Sequence, residues 1–218
     1  MAAPQDLPLL WMDDHLLVVD KPAGMLCVPG RGVDKQDCLA TRVQQQFPDA
    51  RVVHRLDMAT SGLWLMARGA HNQRLVNREF AERRVEKRYL AVVTGRLQPA
   101  GEDRDWNLID LPIRADWPNR PRRVVDPMGG KPSQTRWRSI GYDPHADTTR
   151  LDLAPVTGRS HQLRVHLLAL GHPILGDRLY ATADVAGRSP RLLLHATGLA
   201  LAHPATGEPL AFESAAPF

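Results

Sequence analysis

Proline and glycine recur at short intervals along the chain, and this spacing most limits the fold that the sequence can adopt. The 218 residues include 18 prolines and 16 glycines, with no long linker or low-complexity tract. The apolar runs between them are short and typical of β-strands: residues 16–20, 63–67, 88–93, 134–142, 149–154 and 191–194. Residues 199–212, LALAHPATGEPLAF, indicate a closing hairpin that turns at residues 204–207.

Helical patterns are fewer. Residues 37–47, 70–84 and 160–170 each place apolar residues on one face, and Asp37 is a cap candidate for the first. Strands therefore outnumber helices, which favours an α+β fold: a mixed, largely antiparallel sheet with flanking helices. A doubly wound nucleotide-binding fold is less favoured, because neither GxGxxG nor GxxxxGK[ST] occurs.

Length and composition are those of a soluble globular protein with one domain over residues 1–218. The hydrophobic fraction is 43% and the charged fraction 24%. No run of about 18 apolar residues occurs, so we expect no membrane association, and the first residues do not resemble a signal peptide. Two cysteines, Cys27 and Cys38, fit buried thiols in a reducing cytoplasm.

The basic residues are mostly arginine. Arginine supplies 24 of the 28 basic residues, and the net charge is +4. Because its planar guanidinium matches phosphate and stacks on bases, RNA contact is permitted. An arginine-rich genome would give the same ratio, so this feature alone decides nothing.

The segment VVHRLDMATSGL, residues 52–63, carries the first candidate site. An apolar approach ends in Arg55 and Asp57, and a small polar turn then leads into a new strand. Charged groups on an irregular segment between regular elements often serve function. The alternative for Asp57 is a turn residue bonded to nearby amides.

A second candidate is Arg164, in the segment TGRSHQLRVHLLAL, residues 157–170. It lies among leucines and valine, so we expect it to be partly buried and to need an anionic partner, either a carboxylate or a phosphate. A structural ion pair within the core is the alternative. Tyr89, in KRYLAV, is suited to stacking on a base, although a core tyrosine with a solvated hydroxyl is more common.

Other enzyme classes are disfavoured. His161 and His166 are five residues apart, unlike the i, i+4 pair of HExxH, and no Glu or Cys ligand stands at a familiar spacing, so no metal site is predicted. Neither Ser61 nor Ser160 lies in a GxSxG motif, which argues against a serine hydrolase.

Several motifs together resemble one family. HRLDMATSGL is similar to the catalytic motif of the RluA-type pseudouridine synthases, and VVDKPAG, KRYLAVV and TGRSHQLRVHLLALGHPILGD resemble the family's other motifs in the expected order. DWPNRP and GKPSQT resemble the RluA branch, which modifies transfer RNA and 23S ribosomal RNA. The resemblance implies a pseudouridine synthase fold with a central RNA-binding cleft. It also implies a single catalytic domain without an N-terminal S4 module, no cofactor and no obligate protein partner.

The resemblance also implies residue roles. Asp57 matches the catalytic aspartate and Arg164 the arginine that pairs with it. Arg55 matches the residue that enters the RNA helix where the target nucleotide leaves, and Tyr89 the aromatic that stacks on uracil. A basic stretch rich in proline and glycine is interpreted as contacting RNA phosphates, with an ordinary solvated surface as the alternative: Arg114, Arg120, Arg122, Arg123 and Lys131.

The expected substrates are the anticodon arm of transfer RNAs and a 23S ribosomal RNA hairpin. Whether Asp57 attacks C1′ of the ribose or C6 of the base stays open. The alternative function is a catalytically inactive RNA-binding or ribosome-assembly protein of the same fold.

Overall fold

A computed structural model describes residues 7–98 and 106–218. The chain folds as two compact units: unit 1 comprises Met1–Glu86 and Ala196–Ala216, and unit 2 comprises Lys87–His195 and Pro217–Phe218. The expectation of one domain over residues 1–218 stays a prediction. Within the described ranges, no helix is both long and apolar enough to cross a bilayer.

Unit 1 is built around two strands, β2 and β4, that are buried on both faces. Its strands are β1 (Leu9–Met12), β2 (Leu16–Lys21), β3 (Ala50–Val52), β4 (Ser61–Arg68), β11 (Leu194–Ala202, from residue 196 onward) and β12 (Pro209–Glu213). They are hydrogen-bonded in the order β1-β2-β4-β11, with β12 beside β11 and β3 beside β4. The core consists of β2 and β4, in which Leu16–Val19 and Trp64–Ala67 have no exposed surface. Helices α1 (Leu39–Gln46) and α2 (Gly69–Ala81) complete the unit.

Unit 2 is a second run of antiparallel strands. Its strands are β5 (Glu86–Thr94, from residue 87 onward), β6 (Asn107–Asp110), β7 (Ile113–Ala115), β8 (Arg123–Val125), β9 (Gln134–Asp143) and β10 (Thr148–Pro155). The order is β5-β10-β9-β6, and β7 and β8 form a separate hairpin. Helix α3 (Gln162–Ala169) packs against β8, and a short helix α4 spans Ala183–Gly187.

The predicted α+β class with a mostly antiparallel sheet is confirmed, since every pair for which the register is given is antiparallel. Five of the predicted strands correspond to β2, β4, β5, β9 and β10, the closing hairpin is β11–β12, and the three predicted helices are α1, α2 and α3. The central cleft stays a prediction.

Two local predictions were wrong. Only the last residue of the run at 191–194 lies in a strand, because β11 begins at Leu194. Asp37 does not cap α1. The helix begins one residue later, with the Cys38 sulfur accepting the Thr41 amide, and Asp37 instead pairs with Arg42 at 2.6 Å.

Candidate active site

The segment that carries Asp57 is attached to the core of unit 1 at its upstream end by His54. The His54 ring accepts a hydrogen bond from the Leu65 amide at 2.9 Å, and its carbonyl accepts one from the Trp64 indole at 2.9 Å. The imidazole also stacks on Phe80 of α2, with ring centroids 4.9 Å apart. The residue that opens the HRLD motif therefore ties the segment to both β4 and α2.

The two neighbours of Asp57 are fastened by the VVDKPAG segment and the residues that follow it. The Leu56 amide donates to the buried Cys27 sulfur at 3.3 Å, and burial raises the pKa of that thiol. The Met58 carbonyl accepts from the Gly24 amide at 2.8 Å and from the Lys21 ammonium at 3.0 Å. The backbone on each side of Asp57 is thus held by hydrogen bonds to another segment.

Lys21 makes this attachment although it has no exposed surface. Its Nζ donates to the carbonyls of Pro22 at 2.9 Å and Met25 at 2.7 Å, in addition to that of Met58. Three carbonyl acceptors offset part of the desolvation of a buried ammonium. Lys21 therefore joins the KPAG turn to the loop of Asp57.

The downstream end of the loop closes tightly. The Thr60 amide donates to the Asp57 carbonyl at 3.1 Å, and Gly62 follows with φ of 106°. A Cβ at residue 62 would lie 2.3 Å from the Ala196 carbonyl oxygen, so only glycine fits beside β11. Asp57 itself is half-buried and Arg55 is exposed, which leaves both side chains partly open to solvent.

Tyr89 and Arg164 belong to unit 2. Tyr89 is half-buried on β5 opposite Leu153 of β10. Arg164 lies on α3, only 6% exposed, and forms a two-point ion pair with Asp177: Nε to Oδ2 at 2.7 Å and Nη2 to Oδ1 at 2.6 Å. The expectation that buried Arg164 needs an anion is met by this carboxylate. Its pairing with Asp57, a residue of unit 1, stays a prediction.

Asp177 is not among the residues predicted from the sequence, although it ends the last of the predicted motifs. Gly176, with φ of 74°, lies so close to the Arg191 carbonyl oxygen that a Cβ would be 1.8 Å away. This glycine brings the chain into a turn in which Asp177 Oδ1 also accepts the amides of Leu179 and Tyr180. A Gly-Asp pair that follows an apolar run was the available signal.

The five residues expected to contact phosphates lie on or beside the β7–β8 hairpin. Arg114 of β7 pairs with Asp126, and the Gly129 amide, the Arg114 guanidinium and the Met128 amide hold the pKa of Asp126 below its ordinary value. Lys131 is exposed and pairs through its backbone with Ile113 of β7. The remaining three lie in the turn or at the start of β8: Arg120, Arg122 and Arg123.

The three hairpin arginines differ in their surroundings. Arg120 lies over the Trp117 ring at 5.1 Å, and Arg122 over the Tyr180 ring at 5.6 Å. The Nε of Arg123 is buried with no hydrogen-bond acceptor among the described residues. A buried donor without an acceptor is costly and is uncommon in folded proteins. Arg123 therefore has one buried N–H that is unsatisfied within the described residues.

The histidine of α3, His166, is hydrogen-bonded within the protein. His166 is fully buried, with Nε2 2.9 Å from the Leu111 carbonyl and Nδ1 2.9 Å from the Thr135 hydroxyl. Because a carbonyl only accepts, Nε2 carries the proton and Nδ1 accepts from Thr135. Burial lowers the pKa of His166, which fits this neutral tautomer. A metal could bind this ring only if one of these hydrogen bonds were broken.

Comparison with known proteins places these motifs in a family. The RNA pseudouridylate synthase family model matches residues 15–169. The dual-specificity RNA pseudouridine synthase RluA of Escherichia coli (strain K12) is 48% identical over 217 residues, which cover 99% of this chain and 96% of the relative. RluA of Yersinia pestis is 48% identical over 210 residues, which cover 96% of this chain and 99% of the relative.

A solved structure agrees with the sequence matches. Human RNA pseudouridylate synthase domain containing 1 has a TM-score of 0.80 and 30% sequence identity, covering all of this chain and 86% of that one. The family model spans most of the chain, and the full-length identities are far above what chance would give. The chain belongs to the RNA pseudouridylate synthase family and is an RNA pseudouridine synthase.

Proposed function

We propose that this enzyme converts uridine to pseudouridine in the anticodon arm of transfer RNAs and in a 23S ribosomal RNA hairpin, with Asp57 as its catalytic carboxylate. Relatives that are 48% identical over almost their whole length are named dual-specificity RNA pseudouridine synthases, which supports two RNA classes. The observation that carries the role of Asp57 is the attachment of its neighbours on both sides, by Cys27, Lys21 and Gly24. Such anchoring suits a group that must meet one atom of its substrate.

The reaction is an isomerisation that balances without a cofactor. The N1–C1′ bond breaks, the uracil turns, and a C5–C1′ bond forms. C5 loses its hydrogen to solvent while N1 gains a proton. Asp57 assists either by bonding C1′ or by adding to C6, and both routes return the carboxylate at the end.

The other candidate residues have separate roles in this proposal. The Arg164 guanidinium pairs with the Asp57 carboxylate and orients it toward the substrate. A uridine within a stack is inaccessible, so the nucleotide is flipped out at a cost of a few kcal/mol. Arg55 enters the gap that remains in the RNA, and the Tyr89 ring stacks on the uracil.

The β7–β8 hairpin is proposed to hold the RNA backbone. Arg114, Arg120, Arg122, Arg123 and Lys131 carry five positive charges, and phosphate contacts orient an RNA without reading its sequence. The exposure of Arg114, Arg120, Arg122 and Lys131 supports this assignment. Since the proposed substrates are cytoplasmic RNAs, we also propose a cytoplasmic location, with which the two free, buried cysteines agree.

The test is Asp57→Asn, assayed by release of tritium from transfer RNA and from a 23S hairpin labelled at C5 of uridine. We expect the rate to fall at least about 10³-fold, because an amide cannot act as the nucleophile. RNA affinity should be kept, since removal of a negative charge does not repel phosphates. Equal tritium release by the variant and the wild type would refute the assignment of Asp57. Release from only one of the two RNAs by the wild type would refute dual specificity.

A further inference from the structure

Tyr180 touches three parts of unit 2 that carry proposed functional residues. It is 6% exposed and packs in an apolar cluster with Ile113 of β7 and Val165 of α3. Val125 of β8 and the neighbouring Leu179 pack against the same cluster. The ring therefore lies where the arginine-bearing hairpin meets the helix of Arg164.

The hydroxyl of Tyr180 joins the two elements by hydrogen bonds. It accepts the backbone amide of Arg123, the first residue of β8, at 2.8 Å. It also lies 2.7 Å from Nδ1 of His161, the residue that caps α3 with φ of 59°. A phenol has one hydrogen and two lone pairs, so it can accept from the amide and donate to the imidazole at once.

The ring of Tyr180 is also a neighbour of the Arg164 guanidinium. The guanidinium carbon lies 4.9 Å from the ring centroid, in cation–π range. Asp177 holds two nitrogens of Arg164 and accepts the Tyr180 amide through Oδ1. Arg164 is thus oriented by the Asp177 carboxylate at its edge and by the Tyr180 ring at its face.

We propose that Tyr180 is a positioning residue that couples phosphate binding at the β7–β8 hairpin to the orientation of Arg164. This inference rests on the proposed function. When RNA binds the hairpin arginines, the Arg123 amide and the Tyr180 hydroxyl move together. The Tyr180 ring then changes the orientation of the Arg164 guanidinium. Loss of the Tyr180 hydroxyl should therefore slow the reaction of bound RNA more than it weakens RNA binding. A tyrosine that only fills the core would not change the reaction rate selectively.

A double-mutant cycle between Tyr180→Phe and Arg120→Ala tests this coupling. Phenylalanine keeps the ring but removes the hydroxyl, and Arg120 lies on the hairpin against Trp117 rather than against Tyr180. Single-turnover tritium release at saturating RNA is measured for the wild type, both single variants and the double variant. We expect Arg120→Ala to slow the wild type about 3- to 10-fold but to change the Tyr180→Phe background by less than about 1.5-fold.

The matched control is Tyr142→Phe. Tyr142 is a tyrosine of the same unit, with its hydroxyl bonded to Asp147 at 2.9 Å and with Arg96 over its ring at 5.3 Å. The effects of Tyr142→Phe and Arg120→Ala should multiply. If Arg120→Ala slows Tyr180→Phe by the same factor as it slows the wild type, the proposal is overturned. If Tyr180→Phe does not fold, His161→Asn replaces it, since asparagine tolerates a positive φ and removes the other partner of the hydroxyl.

A signal that does not depend on activity separates this inference from the proposed function. The Arg164 Nε–H resonance is followed by NMR while RNA is added to Asp57→Asn protein, with and without the second change Tyr180→Phe. We expect the resonance to shift when the tyrosine is present and to shift much less when it is replaced. An equal shift in both proteins refutes the coupling, whatever the activity of Asp57 proves to be.

Discussion

At the scale of single residues, Lys21 shows how a buried side chain can hold the loop that carries Asp57. It is completely buried, and its ammonium donates to three carbonyls, one of which belongs to Met58 beside Asp57. A buried charge is tolerated when its donors are satisfied in this way. The KPAG turn and the HRLD segment are distant in sequence, since Lys21 and Met58 are 37 residues apart, yet one side chain holds them together.

Lys21→Met tests this attachment. Methionine fills similar space but removes the ammonium that donates to three carbonyls, although the Met58 carbonyl keeps the Gly24 amide. We therefore expect the free energy of unfolding to fall by about 2–4 kcal/mol. For a chain of this size the melting temperature should fall by about 5–15 °C. Below that temperature tritium release should still be at least about 10-fold slower, because a small displacement of a catalytic group is costly.

The control for this variant is Lys35→Met, which alters an exposed lysine in the 3-10 turn Val33–Lys35. It should leave both melting and rate unchanged. A Lys21→Met enzyme that melts and reacts like the wild type would show that the ammonium does not hold the loop.

At the scale of elements, α3 differs from an ordinary amphipathic helix. Six consecutive residues, 162–167, are buried, and they include Gln162, Arg164 and His166. Each polar side chain has a specific partner: Gln162 bonds to Thr135 and Thr157, and His166 to Thr135 and Leu111. The helix is held by hydrogen bonds on several sides as well as by apolar packing.

The buried neutral His166 predicts a pH effect on stability. Its pKa is lowered by burial, so the unfolded chain takes up a proton at a higher pH than the folded protein does. The stability that neutral His166 contributes is fully present above about pH 6.5, the ordinary pKa of histidine. It is lost as the pH falls through the lowered pKa of the folded protein. Thr135 and Leu111 face the ring directly, and Asp110 is the charged group that partly opposes the shift.

We therefore expect wild type to lose stability faster than His166→Gln between pH 7 and pH 5. The difference in slope should approach about 1.4 kcal/mol per pH unit at most. Urea unfolding at each pH measures it, and subtraction of the two curves removes the titration of all other groups. Parallel curves would mean that His166 does not titrate differently in the folded and unfolded states.

At the scale of the whole molecule, the charge is moderate and its local placement matters more. The net charge is +4 over 218 residues, yet the β7–β8 hairpin and its neighbour Lys131 carry five of the cations proposed for RNA. Many other arginines are paired with carboxylates, such as Arg42 with Asp37 and Arg68 with Asp49. RNA affinity should therefore depend on a few cations rather than on overall charge.

Replacing both Arg120 and Lys131 by alanine should reduce the salt dependence of RNA binding. Removal of one phosphate-binding cation lowers the slope of log K against log salt by about 0.7–0.9, so the pair should lower it by about 1.4–1.8. Filter binding of a transfer RNA anticodon arm at several salt concentrations measures the slope. Arg42→Ala, which removes an arginine bound to Asp37, should leave the slope unchanged. An equal slope for the wild type, the double variant and Arg42→Ala would show that the hairpin does not bind RNA phosphates.

The sequence by itself determined the fold class, the family and the principal strands and helices, because these depend on local patterns. Buried strands such as β2 and β4 are continuous apolar runs, and the HRLD and KPAG motifs are contiguous. The three-residue strands β7 and β8 were not predicted, since their arginine-bearing residues carry no periodic apolar pattern.

Only the tertiary structure decided how side chains from distant segments meet. The sequence required an anion beside Arg164, but Asp177 lies 13 residues further along and reaches it only through the turn at Gly176. Likewise, no local sequence pattern indicates that Lys21 binds the Met58 carbonyl 37 residues away, or that Tyr180 bonds to the Arg123 amide 57 residues away. Periodicity records which side of an element is buried, whereas such pairings depend on how the elements pack in space.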